Sequence, residues 1–340
     1  MTEFNILSTN DPFPYKEQIV GLWDNALPGT AHGRLEWMSR GNPAGKSNWF
    51  LAFEEKTGKL AGSVSVMPKE FLFNKNVLRC GIIGDIMVEK QFRGCGLAAQ
   101  IIQTALDNLH TMGLQCAYVV PNSASEKIFQ MVGFKKVAKL RCLVKPISVR
   151  YYLEKYAGCL MATVFTPFLD TILRHLSREN YCSSRGIRME AMKNISFFDV
   201  LLRKFLRTQS GATANRDFLY LDWRYHQNPQ YRFHNLGVSE SDGNPLAYVY
   251  YTVNSGQLEI FDMVSLDKRY ILLIVKTLAG IAISKKCHAI YCWALENCEF
   301  TKNLKRCNFM RTSDYLPVYF FGEDDSMCNA WDFFAGDRNI

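Results

Sequence analysis

The chain has 340 residues, 48% of them hydrophobic, and a formal net charge of +8 at pH 7. That length exceeds what one core usually fills, so two domains are expected, with enough apolar side chains for both. The basic residues are scattered, which excludes a concentrated nucleic-acid-binding face and suits a small anionic ligand; the eleven cysteines include no C-x-x-C pair, which argues against a zinc site and for reduced thiols.

Residues 1–34 read as an entry helix and loop. Tyr15 to Leu27 carries apolar residues at helical spacing, and Pro28-Gly29 stops the pattern. The first residues show no signal-peptide pattern, so a cytoplasmic protein is expected. Trp49 to Phe53 and Leu60 to Met67 read as strands around the turn Lys56-Thr57-Gly58. Phe71 to Asn74 and Val77 to Cys80 read as a further pair around Lys75-Asn76. The apolar run from Ile82 to Val88 reads as a buried strand, and it leads into Gln91-Phe92-Arg93-Gly94-Cys95-Gly96. Leu97, Ile101, Ile102 and Leu106 then recur at helical spacing, so a helix starts near Gly96. After Gly113 come a strand from Cys116 to Val120, then Asn122, a short helix, and Gly133-Phe134. This order predicts an α/β fold with a mixed central sheet flanked by helices.

Strand, glycine loop and helix form a layout that binds phosphate. The first four amides of a helix lack partners inside it, and the helix dipole adds a partial positive charge there. Asp85 is an acidic residue inside an apolar strand; isolation there would raise its pKa and make it a candidate base, and a paired or hydrogen-bonded structural aspartate is the alternative. Cys95 is not read as a nucleophile, because no histidine lies nearby in sequence to activate it. Of the six histidines, His32, in the loop before Trp37, is the one singled out for acceptor contact.

Residues 146–185 read as an apolar helical connector. Tyr156 to Leu173 is nearly long enough to span a bilayer, but Pro167 and Asp170 interrupt it and charges flank it. No stable membrane span is expected. Helices packed between the domains are favoured, and a shallow interfacial helix stays open.

The second half repeats the first. Leu35-Glu36-Trp37 with Asn42-Pro43 recurs 186 positions later as Leu221-Asp222-Trp223 with Asn228-Pro229. Asn122, Lys127, Gly133 and Phe134 recur 175 positions later as Asn297, Lys302, Asn308 and Phe309. The residues missing from the second copy fall where the first keeps its glycine loop. Asn308 in place of Gly133 is sensible, because Asn tolerates left-handed backbone angles. The division expected is 1–145, the connector 146–185, and a degenerate second copy at 186–340. That copy would bind the acceptor, cover the first cleft, or build a subunit interface, and a homodimer is one open expectation.

The loop fits Q/R-x-x-G-x-G/A through Gln91, Gly94 and Gly96, and residues 122–134 fit N-x-x-S-x-x-x-F-x-x-x-G-F. Over residues 35–140 this resembles the GNAT acyltransferase superfamily. The duplication, with Leu221-Asp222-Trp223-Arg224-Tyr225 and Trp331-Asp332-Phe333-Phe334-Ala335-Gly336-Asp337, is similar to two-domain sugar N-acyltransferases of bacterial surface-polysaccharide biosynthesis. The resemblance implies acyl-CoA as co-substrate, with no metal. Arg93, Gly94, Cys95, Gly96, Leu97 and Ala98 would hold its pyrophosphate, while Met87 and Val88 would meet pantetheine through their backbone. Asn122 would face the cofactor. Phe129 stands where the family often has a tyrosine acid, so Tyr118 or water would protonate the leaving thiolate. Asp85 and His32 would face the acceptor. The reaction implied is direct transfer of an acetyl or short hydroxyacyl group to the amine of a dTDP- or UDP-linked dideoxy amino sugar. A peptide, lysine or antibiotic amine, or a non-catalytic CoA-binding role, are the alternatives.

Overall fold

The computed structural model describes residues 2–26, 33–73, 76–192, 195–208, 211–323, 328 and 331–338. The first half runs β1 (Phe4–Thr9), α1 (Lys16–Ala26), α2 (Arg34–Arg40), β2 (Asn48–Glu54), β3 (Leu60–Phe73), β4 (Asn76–Val88), α3 (Leu97–Asp107), β5 (Cys116–Val119), α4 (Glu126–Met131) and β6 (Lys135–Pro146). The connector holds α5 (Arg150–Ala157) and α6 (Cys159–Leu176). The second half runs β7 (Ile187–Glu190), α7 (Ile195–Thr208), β8 (Ala212–Ala214), α8 (Phe218–Leu221), β9 (His234–Glu240), β10 (Pro245–Asn254), β11 (Gln257–Ser265), α9 (Lys268–Ser284), β12 (Ala289–Leu295), α10 (Glu299–Arg306), β13 (Met310–Phe321) and β14 (Trp331–Asp332). From β2 to β6 and from β9 to β13 the elements follow one order, as a duplicated fold requires. Asn308 has φ +62° and Gly133 φ +92°, so both copies leave the helix through a left-handed residue.

Two expectations change. Residues 1–34 include a strand, β1, which pairs antiparallel with β2 from Phe4↔Glu54 to Thr9↔Trp49. The short strand pairs read at residues 60–88 are instead two long strands, β3 and β4, paired from Gly62↔Val88 to Phe73↔Asn76. Continuous pairing across the hairpin outweighs the local breaks in the hydrophobic pattern.

The strands form one mixed sheet in the order β1-β2-β3-β4-β5-β13-β6-β12-β11-β10-β9-β7. Each half sends its last strand into the other. β13 lies beside β5 (Tyr319↔Val119), and β6 lies beside β12 (Cys292↔Leu143). The division at 145 and 186 therefore runs along the chain and is not a boundary between separate bodies in space.

Alternation along each strand sends neighbouring side chains to opposite faces. Ile82, Cys116 and Tyr118 enter a core shared by both halves, which also holds Trp37, Trp223 and Phe197. Ile83, Ala117 and Val119 pack instead with Leu97 and Ile101 of α3. The second half has its own cluster under α9, with Ile274 and Leu278 fully buried.

A buried charge network ties the halves together. Lys69 of β3 pairs with Asp337. Arg216 bridges Asp337 at 2.7 Å and Asp262 of β11 at 3.0 Å. Burial opposes ionisation of Asp337, but Arg216 and then Lys69 outweigh it and hold the carboxyl below its usual range. The connector, by contrast, is not packed between the halves. Along α6 only Ala162 is buried.

Candidate functional site

β4 and β5 pair in parallel only from Cys80↔Cys116 to Ile82↔Tyr118. Beyond Ile82, β4 runs on to Val88 without a strand on that side among the described residues. β5 ends at Val119, and Val120 and Pro121 lie outside any strand. A cleft of about 1210 Å³ opens in the gap, walled by Met87 and Val88 of β4, Val119 and Val120, the start of α3, and Asn122, Ser125 and Phe129.

The glycine turn closes one end. Gly94 and Gly96 have φ +84° and +86°, angles that a side chain disfavours. No atom lies within 4 Å of a Cβ built on either, so the backbone conformation, and not crowding inside the protein, calls for glycine. Arg93 N–H bonds Lys90 O at 3.3 Å, and the next bonded amide is Gln100, to Gly96 O at 3.1 Å. Among the described residues, the amides of Gly94, Cys95, Gly96, Leu97, Ala98 and Ala99 have no partner. They point a row of donors at a helix N-terminus, which is a site for phosphate oxygens. The cradle thus begins at Gly94, since the Arg93 amide is used inside the turn. The Arg93 guanidinium donates to Val88 O at 3.0 Å, and the Cys95 thiol donates to Phe92 O at 2.9 Å.

Asn122 turns inward on its own loop. Its Oδ1 accepts from the amides of Ala124 and Ser125 at 3.1 and 3.0 Å, which shapes the entry to α4. Phe129 is fully buried against Phe134, with centroids 5.1 Å apart, and its edge reaches the cleft.

Tyr118 is not in the cleft. Strand alternation sends it to the opposite face, where its hydroxyl donates to Asp337 O at 2.7 Å and Phe71, Trp331 and Phe333 surround the ring. Burial, and then the Asp337 charge, push its pKa well above the usual tyrosine value. It cannot serve as the acid that the sequence suggested.

Asp85 does face the cleft, and it is the only acidic side chain lining it among the described residues. It sits at a bulge, where β4 spends two residues between the pairs Ser65↔Gly84 and Ser63↔Met87. Its φ of +49° is rare for a side-chain-bearing residue and re-aims the carboxylate out of the strand pattern. Of the two alternatives open for it, the paired aspartate is the one found. Arg34 donates from Nε at 3.1 Å and lies 3.0 Å away through Nη2, and Ser65 Oγ donates at 2.7 Å. Arg34 also donates to Gln230 Oε1 at 2.8 Å. His32 lies outside the described residues.

Arg34, Ser65, Gln230 and Tyr231 escape a reading of the sequence. The last two follow the repeated Asn228-Pro229, so the second half supplies a wall of the first half's cleft. Arg34 directly precedes the other copy of that repeat, which was the available signal.

The second copy has a cavity of about 1050 Å³ at the start of α9, with Lys136, Lys139, Asp267, Lys268, Glu296 and Glu299 in its wall. No glycine lines it among the described residues. Residues 266–267 alone join β11 to α9, and Asp267 Oδ1 takes the Arg269 amide at 2.8 Å. A carboxylate of the chain itself sits where a phosphate would bind, so this copy has lost the cradle.

Residues 15–137 match the family model described as an acetyltransferase (GNAT) domain. Over 78 residues the chain is 36% identical to glucosamine 6-phosphate N-acetyltransferase of Arabidopsis thaliana, a stretch covering 22% of this chain and 50% of that protein. The chain therefore spans about half the length of this curated relative. Among solved structures, a probable N-acyltransferase of unknown function from Enterococcus faecalis superimposes with a TM-score of 0.68 at 12% identity, covering 94% of this chain and 72% of that one. A GCN5-related N-acetyltransferase from Anabaena variabilis gives 0.67 at 12% identity, covering 93% and 72%. Saccharomyces cerevisiae N-myristoyltransferase with bound myristoyl-CoA gives 0.61 at 15% identity, covering 95% and 79%. At these identities the likeness is one of fold, and it extends over both halves of the chain.

Proposed function

We propose that the protein is an acyl-CoA-dependent N-acyltransferase that acts by direct attack of an amine on the thioester. The observation that carries this reading is the row of unpartnered amides from Gly94 to Ala99 at the end of a cleft between two diverging strands. The pyrophosphate of coenzyme A fits that row, pantetheine fits the gap beside Met87 and Val88, and the thioester then lies near the bulge at Asp85. The neutral amine adds its lone pair to the carbonyl carbon. The tetrahedral adduct collapses, the carbon–sulfur bond breaks, and the thiolate leaves with the bonding pair. Phe129 has no proton to give and Tyr118 is remote, so water protonates the thiolate. The amine proton passes to solvent. Asp85, paired with Arg34, holds and orients the amine; its ion pair suits that role better than removal of the proton.

For the acceptor we favour an amino sugar carried on a phosphate or nucleotide, in line with dTDP- or UDP-linked dideoxy amino sugars. Two features support this: the sugar phosphate named for the Arabidopsis relative, and the polar Arg34–Gln230 corner beside Asp85. The acyl group is acetyl or a short hydroxyacyl. A longer chain is the second reading, favoured by the apolar wall of Ile83, Leu97 and Ile128 and by the myristoyl-CoA bound to the yeast neighbour. The test is thiol release with acetyl-, hydroxybutyryl- and myristoyl-CoA against a panel of amino sugar phosphates, nucleotide amino sugars and peptide amines. Turnover with an amino sugar supports the reading. Turnover only with peptides replaces the acceptor, and CoA binding without turnover for any amine removes the enzyme assignment.

A further inference from the structure

More than half of the exposed large hydrophobic side chains among the described residues lie between Tyr151 and Tyr181. On α6 they fall at helical spacing: Leu160 is 79% exposed, Val164 62%, Phe165 42%, Phe168 66%, Ile172 39% and Leu176 64%. At 3.6 residues per turn they span about 160° of the helix circumference. The opposite face holds buried Ala162 and Asp170, and Asp170 accepts from Ser148 Oγ at 2.9 Å and from the Val149 amide at 2.8 Å. The helix is therefore inverted, with its acid turned to the protein and its apolar arc to the outside. An exposed apolar area of this kind marks an interaction surface.

The rim of the patch identifies what covers it. Lys155, Arg174 and Arg178 are exposed around it. Of the nearby acids, Glu154 is held by Arg150 at 2.7 Å, Asp170 faces inward, and Glu179 is buried against Lys145. A second copy would set this basic rim against itself, whereas anionic lipid headgroups complement it. Tyr151, Tyr156 and Tyr181 lie exposed along the border, the place where tyrosines sit at a headgroup layer. No helix among the described residues is long and apolar enough to cross a membrane. We propose that α5 and α6 form a docking surface for an anionic bilayer, with α6 lying in the plane of the interface and its apolar arc in the acyl boundary. The surface lies outside both cavities, so this proposal is independent of the acyl-transfer reading.

The full chain is to be sedimented with phosphatidylcholine vesicles and with vesicles containing phosphatidylglycerol, at low and high salt. Binding to the anionic vesicles that weakens with salt is expected. Phe165→Glu with Phe168→Glu should lower partitioning about tenfold or more. Lys155→Ala, Arg174→Ala and Arg178→Ala should each lower it about fivefold on anionic vesicles only. Melting curves and CoA binding of the variants should match the parent. The proposal is overturned if the chain stays in the supernatant with anionic vesicles, or if the double glutamate variant binds like the parent. A concentration-dependent dimer that the double variant dissolves would assign the patch to a second copy instead.

Discussion

The indole of Trp37 donates to the backbone carbonyl of Trp223 at 2.8 Å, and the indole of Trp223 donates to that of Trp37 at 3.0 Å. Their rings stack with centroids 4.8 Å apart and 16° between planes. Equivalent residues of the repeat thus make the same bond to each other, the pattern of a two-fold interface within one chain. Both tryptophans are buried in the core, and each is also the other's partner.

Replacing Trp37 or Trp223 with alanine should each cost about 3–5 kcal/mol of stability, because both rings are buried. The double variant should cost less than the sum, since the second truncation removes no stacking partner that remains. Denaturant unfolding of the four proteins measures the coupling, and additive losses would argue against the reciprocal pair.

Gly94→Val and Gly96→Val should weaken CoA binding by about tenfold or more while leaving the melting temperature near that of the parent. A β-branched residue resists φ near +85°, so the turn would rearrange and misalign its amides. Calorimetric titration with CoA checks this, and unchanged affinity would remove the turn from the cofactor site.

Asp85→Asn should lower kcat about tenfold to a hundredfold by misplacing the amine, with a smaller change in KM for acyl-CoA. Arg34→Ala should raise KM for the acceptor, since it frees the carboxylate from its anchor. Steady-state kinetics with the best acceptor separates the two effects. Unchanged turnover in both variants would take the Asp85–Arg34 pair out of the reaction.

Lys69→Met leaves Asp337 and Asp262 sharing Arg216 in a fully buried place, and should destabilise by about 3–5 kcal/mol. Urea unfolding measures it, and a neutral result would mean that water reaches the network.

Tyr118, Tyr225 and Tyr248 are held protonated, first by burial and then by the charges of Asp337 or Asp262. Their folded pKa values lie above the unfolded value of about 10. The stability they contribute is complete below that value and is lost as pH rises toward their folded values. Asp337 acts in the opposite sense: its folded pKa is lowered, so its contribution is present above about pH 4 and lost as pH falls below it. Melting curves should therefore fall off above pH 10 and below pH 4, and a flat alkaline limb would show that the tyrosines are accessible.

What could be read along the chain was whatever local physics imposes. Gly94 and Gly96 before an amphipathic helix announce a left-handed turn with unpartnered amides, because glycine takes those angles and a helix start leaves its first amides free. The paired Trp and Asn-Pro motifs announce a duplication, and Asn308 announces a left-handed helix exit. What tertiary structure alone decided depends on partners far away in sequence. Arg34 reaches Asp85 and cancels its isolation, and Asp337 claims the hydroxyl of Tyr118 on the far face of the sheet. β6 and β13 trade places, and α6 turns its apolar arc outward. Periodicity says that a side chain needs a face, but which face, and opposite whom, is settled by strand pairing between segments that no local pattern links.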